Sequence, residues 1–407
     1  MNMRKMSVLP VLLFTAVLVM LVSACTRKDN LTGDNWSGLT PMIAMDSTFY
    51  TGYSYTHAGK VKGTETSLVC GTDAAIDAIS VMRFSGLADT IIVLQQPVLK
   101  LVATRRSPLN SNPLVLSFHK LTKNWAADST DVISDVDIYS LNIPNFTVQD
   151  TISTSGDTLS INIPNEIIEN WKTEGVTGLN LVIKTIGERG HWMEFKSTES
   201  GNGPLLTFKY RVPGSSDTLS YSQRAIRDSY RVTGTQTEVS ETTLMLKNLL
   251  PQRMMIKNGL PISIFKDKDG NQLSELDRKR MTINKAELIL FIKENPYYSN
   301  TRCNFFPYRV KPDTLVNNII LTDSDLEIIT HTYNSTSVIN ADSVKIDITA
   351  LTQAFTSGDA GNNGIVIKNT SEMQNFGSLE FWHYANAPAG KRPYVRIYYT
   401  VPYLKGN

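Results

Sequence analysis

Histidine and cysteine are the side chains that most often carry catalysis or bind metals, and in this chain their spacing favours neither role. The five histidines of the 407-residue sequence are scattered, without the short intervals that place two metal ligands on one element. No nucleophile elbow, His-Glu-x-x-His zinc motif or phosphate-binding P-loop occurs in the sequence. The histidines are His57, His119, His191, His331 and His383. We therefore expect a protein that is not an enzyme.

Two groups of aspartates have the side chains of a calcium loop. The segment Asp267-Lys-Asp-Gly-Asn271 lacks the glycine and glutamate spacing of an EF-hand, which favours a plain turn. A second acidic loop could hold a structural calcium ion, and a solvated loop is the alternative. The carboxylates of that loop belong to Asp128, Asp131, Asp135 and Asp137. We expect no other cofactor.

Exposed aromatic rings could stack on the C–H groups of a sugar, with polar side chains around them. In the segment Phe381-Trp-His-Tyr-Ala385, an inward Phe381 would turn Trp382 outward, because side chains alternate along a strand. The candidate ligand contacts are Trp382, His383, Tyr384, Trp192, Tyr297 and Tyr298. Packing at a domain edge or interface is the alternative for each of them.

The N-terminus has the order of charges and apolar residues that is typical of an export signal. Arg4 and Lys5 precede an almost wholly apolar run, residues 7–22, which is shorter than the ~20 residues of a transmembrane helix. The sequence Val22-Ser-Ala-Cys25 then resembles the lipobox of bacterial lipoproteins. This resemblance implies that residues 1–24 are a cleaved signal peptide and that Cys25 is lipid-modified. An ordinary signal peptide or an uncleaved anchor is the alternative.

Lipid modification of Cys25 would make a membrane the first partner of the protein. Each acyl methylene that enters the bilayer contributes about 0.8 kcal/mol, so that several chains hold a soluble domain firmly. Thr26 follows the cysteine where an aspartate would favour retention in the inner membrane. The resemblance to Gram-negative lipoproteins therefore implies the outer membrane, facing either the periplasm or the outside.

Charge and cysteine content exclude two further classes of function. The formal net charge is +2 and no basic run stands out, so we do not expect nucleic acid as a partner. After Cys25 only Cys70 and Cys303 remain, too few for a cysteine metal cluster. We expect two buried free thiols in separate cores, and a disulfide in an oxidising compartment is the alternative.

The elements that must position these residues are short β-runs separated by turn residues. Runs such as Leu114-Val-Leu-Ser-Phe118 and Leu179-Asn-Leu-Val-Ile183 predict an all-β protein of antiparallel sandwiches with short helices. We expect a tether at 25–45, a first sandwich at 46–213, a linker at 214–229 and a second sandwich at 230–403.

The two predicted sandwiches repeat each other in order, at an offset of about 185 residues. Asp157–Ile163 matches Asp342–Ile348, and each leads into a short predicted helix, at 164–172 and 349–356. Further on, Leu181-Val-Ile-Lys184 matches Ile365-Val-Ile-Lys368, and a Pro-led strand ends both copies.

Each copy resembles the DNRLRE-type jelly-roll domain, a family grouped with carbohydrate-binding modules of exported bacterial proteins. The resemblance rests on Met82-Arg-Phe84, on Phe195-Lys-Ser-Thr-Glu199, and on Trp125 and Trp171, which occupy core positions of the family. The second copy departs from this pattern at residues 381–384. Its early strand also resembles an uncharacterised family of Gram-negative outer-membrane lipoproteins.

This resemblance implies a jelly-roll fold and a non-catalytic role in binding glycans or polysaccharides at the cell envelope. The alternative is a structural or adhesive surface protein that binds protein partners or acts as a spacer. Since fold does not determine function, the residues of the site must decide between them.

Overall fold

The computed structural model describes most of the chain after residue 40. The described residues are 41–46, 52–57, 63–73, 76–107, 113–130, 133–140, 143–148, 152, 156–187, 189–234, 239–256, 262–295, 302–312, 314, 320–328, 334–337 and 341–402. The predicted signal peptide, Cys25, Asp131, Tyr297 and Tyr298 lie outside them. No helix within the described ranges is long and apolar enough to span a membrane.

The described residues form three short helices and twenty-five strands. The strands are β1 (Met42–Asp46), β2 (Gly52–Thr56), β3 (Ser67–Asp73), β4 (Ile76–Phe84), β5 (Ile92–Ser107), β6 (Leu114–Leu121), β7 (Ile138–Ser140), β8 (Phe146–Val148), β9 (Asp157–Asn162), β10 (Leu179–Ile186), β11 (Trp192–Lys196), β12 (Leu205–Arg211), β13 (Leu219–Arg224), β14 (Arg227–Gly234), β15 (Val239–Ser240), β16 (Leu244–Lys247), β17 (Gln252–Ile256), β18 (Thr282–Glu294), β19 (Arg302–Val310), β20 (Leu326–Glu327), β21 (Asn334–Ser337), β22 (Ser343–Asp347), β23 (Ile365–Asn369), β24 (Ser378–Phe381) and β25 (Tyr394–Thr400). The helices are α1 (Asn165–Glu169), α2 (Glu275–Arg280) and α3 (Thr349–Ser357). The predicted all-β class is confirmed.

Two antiparallel sandwiches follow the same strand order. The first runs β13-β12-β5-β11-β3-β4-β10-β6-β7, with β9 on β5, β8 on β6 and β14 on β4. The second runs β1-β25-β18-β24-β16-β17-β23-β19-β20, with β22 on β18, β21 on β19 and β2 on β17. The two orders correspond position by position, and α1 and α3 occupy the two predicted helical stretches.

The observed pairings correct the predicted domain boundaries. The segment predicted as a linker, 214–229, contains β13 and the start of β14, which pair with β12 and β4 of the first sandwich. Conversely, β1 and β2 come before the first sandwich in the chain but pair with β25 and β17 of the second. A strand joins whichever sheet offers it a free main-chain edge, and composition does not report that long-range choice.

Local sequence explains the individual elements well. In β25, Val395, Ile397 and Tyr399 are buried and the residues between them are partly exposed, as the two-residue period of a strand requires. In α3, Leu351 and Phe355 are four residues apart on the buried face. The helix ends at Gly358, whose φ of 84° suits glycine.

The core residues of the family resemblance are buried as expected. Trp125 and Trp171 are 4% and 8% exposed. The indole Nε1 of Trp125 donates to Asn180 Oδ1 at 3.0 Å, and Arg83 Nε donates to the same oxygen at 2.8 Å. Cys70 is fully buried as a free thiol, and burial raises its pKa. These residues therefore stabilise the first sandwich.

Candidate functional site

The two sandwiches meet at a packed junction. The ring of Trp192 on β11 stacks on Phe376 of the second sandwich, with centroids 5.2 Å apart and planes 17° apart. The main-chain N–H of Phe376 donates to Glu194 Oε1 at 3.3 Å, and Leu249 and Met373 join the core of the first sandwich. Because Trp192 is only 2% exposed, its assignment as a ligand contact is wrong.

Two residues at this junction have a left-handed backbone. Among the residues that the structure describes, Leu250 (φ 46°) and Met373 (φ 60°) are the two non-glycine residues with positive φ. This conformation costs about 1–2 kcal/mol for a residue with a Cβ atom, so tertiary contacts must hold it. One such contact is the hydrogen bond from Met373 N to Asn248 O, at 2.9 Å. The strained loops thus form one wall of the junction.

A cavity of about 620 Å³ opens beside the junction. Thr64 and Glu65 of the first sandwich line one side. The second sandwich supplies the rest of the lining, which includes the partly exposed rings of Phe306 and Tyr308 on β19 and the polar side chain of Gln374. Aromatic and hydrogen-bonding groups therefore face the same space.

Arg253 on β17 forms the charged floor of the cavity. Its Nε and one terminal nitrogen donate to the two oxygens of Glu372 at 2.8 and 2.7 Å, and its other terminal nitrogen lies 2.8 Å from Asp323 Oδ1. The side chain is 1% exposed. Burial alone would lower the pKa of Arg253, but the hydrogen bonds and charge of Glu372 raise it, so that the guanidinium stays charged.

The remaining groups of the floor balance this charge. Burial favours the neutral form of Asp323, but Arg253 and Lys368, whose Nζ lies 3.2 Å from Asp323 Oδ1, lower its pKa to about 2. His57 Nε2 lies 3.7 Å from Asp323 Oδ2, and burial with the charge of Arg253 lowers the pKa of this histidine. At neutral pH the floor therefore combines the cations of Arg253 and Lys368 with the carboxylates of Asp323 and Glu372, beside the neutral imidazole of His57.

The internal repeat shows which part of this floor belongs to the fold. In the first sandwich, Asp135 lies 2.8 Å from Arg231 and 3.8 Å from Lys184. Asp323 has the position that corresponds to Asp135, because each is the first residue after the N-cap of the same short helical turn. The lysine beside Asp323 is Lys368, the repeat equivalent of Lys184. The aspartate and the lysine are therefore common to both copies and structural, whereas the arginine comes from β14 in the first copy and from β17, which is not the equivalent strand, in the second.

The aromatic pair is where the two copies differ. Lys184 lies opposite Ser117 across the sheet, and the equivalent Lys368 lies opposite Phe306. By the same register, Tyr308 occupies the position of His119. In the first copy, Ser117 Oγ and His119 Nε2 hydrogen-bond to each other at 2.9 Å. The second copy therefore has a phenyl and a phenol ring at the cavity where the first copy has a hydroxyl group and an imidazole.

The other candidate residues lie away from the cavity. Phe381 is 1% exposed and Trp382 is partly exposed, which is the alternation expected from the sequence. The ammonium of Lys293 lies 5.7 Å from the centroid of the Trp382 ring, and the guanidinium of Arg392 lies 5.0 Å from the centroid of the Tyr384 ring. His383 is 5% exposed, with Nε2 3.0 Å from Gly52 O, so its assignment as a ligand contact is wrong.

The aspartate groups serve local structure. Asp137 accepts hydrogen bonds from Ser134 N and Oγ, while Asp135 pairs with Arg231. Asp267 accepts main-chain N–H groups from the turn that it begins, as the plain-turn prediction requires. Across the described ranges, no three side chains of the His, Cys, Asp and Glu types lie close enough together to hold a metal ion.

No family model and no curated protein matches the sequence. Among solved structures, a protein described as secreted, from Parabacteroides distasonis, shares 9% identity over 90% of both chains, with a TM-score of 0.16. The VP2 subviral particle of infectious bursal disease virus shares 8% identity over 89% of this chain and 77% of that chain, with a TM-score of 0.12. Similarity at this level carries no argument about this protein.

Proposed function

We propose that the protein is a non-catalytic glycan-binding protein of the cell envelope, and that the junction cavity is its binding site. The cavity volume of about 620 Å³ lies within the ~300–1,000 Å³ that is typical of small-ligand sites. Phe306 and Tyr308 would offer apolar ring surface to sugar C–H groups. Side chains such as Thr370 and Gln374 would exchange hydrogen bonds with sugar hydroxyls. With Glu65 counted, three carboxylates and two cations line the cavity, which disfavours an acidic saccharide.

The observation that carries this proposal is the difference between the two copies at the cavity. Ser117 and His119 show that polar residues are compatible with these two strand positions in the same fold. The rings of Phe306 and Tyr308 are therefore not required by the architecture, which favours a role in binding.

The test is a glycan array probed with residues 26–407. We expect binding to a limited group of plant, algal or bacterial polysaccharides, and loss of binding in the double variant Phe306→Ser/Tyr308→His. That variant introduces the residues of the first copy, so it should fold. Trp382→Ala is the matched control, because it removes a partly exposed ring outside the cavity. A blank array for the wild-type protein would reject the proposal.

The lipobox-like sequence supports a second part of the proposal, that Cys25 anchors the protein in the outer membrane. Radiolabelled palmitate should be incorporated into the full chain and should be lost in Cys25→Ala. Membrane fractionation should recover the label with the outer membrane. Labelling that persists in Cys25→Ala would contradict the anchor.

A further inference from the structure

The second sandwich is completed by a segment from the other end of the chain. Strand β1 pairs with β25 through the register Met42↔Tyr399 to Asp46↔Val395, and β2 pairs with the whole of β17. In the first sandwich the same two positions are filled by β13 and β14, which directly follow its last strand, β12. We call β1 and β2 together the N-terminal segment, and we call the two strand positions that they fill the slot.

Side chains as well as main chain fix the N-terminal segment in the slot. Ser54 Oγ donates to Thr243 O at 3.0 Å and accepts from Met245 N at 2.6 Å. Gly52 fits tightly, because a Cβ atom there would lie 2.8 Å from a methyl carbon of Leu244, and its carbonyl oxygen contacts buried His383. These contacts make the slot selective for the sequence of the N-terminal segment over other extended chains.

Burial in the slot is extensive. Tyr53 and Tyr55 are 3% and 0% exposed, and they form a small apolar cluster with residues of β17, β19 and β23. Ala44 of β1 joins the main core of the second sandwich. An empty slot would expose this apolar surface together with unpaired strand edges, which readily accept another chain.

From this topology we infer that the N-terminal segment is exchangeable: the slot of one copy also accepts β1 and β2 of a second copy. Along the chain, the whole first sandwich lies between the N-terminal segment and the strands that form the slot. The contacts that hold the segment in the slot are non-covalent. A second copy offers an identical segment, so exchange preserves all of these contacts. Reciprocal exchange gives a closed dimer, and exchange in one direction from copy to copy gives a head-to-tail chain.

Cysteine cross-linking between β1 and β25 distinguishes the two sources of the segment. Ile43 and Tyr398 are direct partners across the strands, and Ile43 is 59% exposed. Ile43→Cys and Tyr398→Cys are made in separate preparations of residues 26–407. The two preparations are mixed, unfolded, refolded at rising protein concentration and oxidised. The double variant on one chain calibrates the formation of the disulfide.

The matched control is Lys209→Cys mixed with Ser220→Cys. These residues are direct partners between β12 and β13, where the donor strand follows its acceptor in the chain. We expect a covalent 43–398 dimer that increases with protein concentration, and no such dimer from the control mixture. Equal dimer yields in the two mixtures, or no dimer in either, would overturn the inference and assign the segment permanently to its own chain.

Discussion

Asp228 on β14 gives a sharp test of how the first sandwich is completed. Its carboxylate is 2% exposed and accepts hydrogen bonds from Thr198 N at 2.9 Å and Thr198 Oγ1 at 2.5 Å. Burial raises the pKa of Asp228 from 3.8 to about 6, against the hydrogen bonds from Thr198, and the negative charge of Glu199 adds to the rise. In the folded protein the group is therefore mainly protonated below about pH 6 and mainly ionised above it.

The sign and size of the effect follow from linkage. Between pH 4 and 6 the folded state holds a proton that the unfolded state has lost, so the free energy of unfolding falls as the pH rises. A pKa difference of about two units corresponds to about 3 kcal/mol. The stabilisation is complete below the unfolded pKa of 3.8 and is lost as the pH passes through about 6.

Asp228→Asn removes this titration and retains an oxygen acceptor for Thr198. Urea unfolding of both proteins from pH 4 to pH 7 should show the variant gaining up to about 3 kcal/mol relative to the wild type over that range. The difference between the two proteins cancels every other titrating group. A difference that stays constant with pH would refute the buried position of Asp228, and with it the docking of β14 on the first sandwich.

Three substitutions and one chemical modification probe the junction, the cavity floor and the core. Trp192→Ala should lower the free energy of unfolding by about 3–5 kcal/mol, because it leaves a cavity beside Phe376; a loss under 1 kcal/mol would contradict the packed junction. Arg253→Ala should cost about 3–5 kcal/mol by leaving Glu372 without its partner, whereas Arg309→Ala, which removes an ion pair to the more exposed Glu327, should cost about 0.2–1 kcal/mol. Equal losses would contradict the burial of Arg253. Cys70 should resist iodoacetamide in the folded protein and react after denaturation, as measured by peptide mass spectrometry.

Local sequence patterns predicted the strand and helix content. They did not predict which neighbouring strands β1, β2, β13 and β14 pair with. The alternation in β25 and the helix at 349–357 are set by neighbouring residues, so sequence periodicity predicts them. The sheet that each of β1, β2, β13 and β14 joins is set by long-range pairing. That information lies in contacts between residues far apart in the sequence, such as Met42 and Tyr399.

The candidate site shows the same division. The alternation at Phe381 and Trp382 was predicted correctly, but Trp192 is buried at the junction and His383 is buried against Gly52 of β2. The cavity brings Glu65 together with Tyr308, and only the packing of two sandwiches creates that proximity. The equivalence of Tyr308 with His119 follows only from the strand registers, because these two residues are 189 positions apart whereas the shared lysines are 184 apart.

Isothermal titration calorimetry with the strongest glycan from the array tests the central claim most directly. Phe306→Ser/Tyr308→His should raise the Kd by about 5- to 150-fold, which corresponds to about 1–3 kcal/mol for the loss of two stacking rings. Trp382→Ala should leave the Kd unchanged, and both variants should unfold at the wild-type temperature. An unchanged Kd in the folded double variant would contradict the assignment of the junction cavity as the binding site.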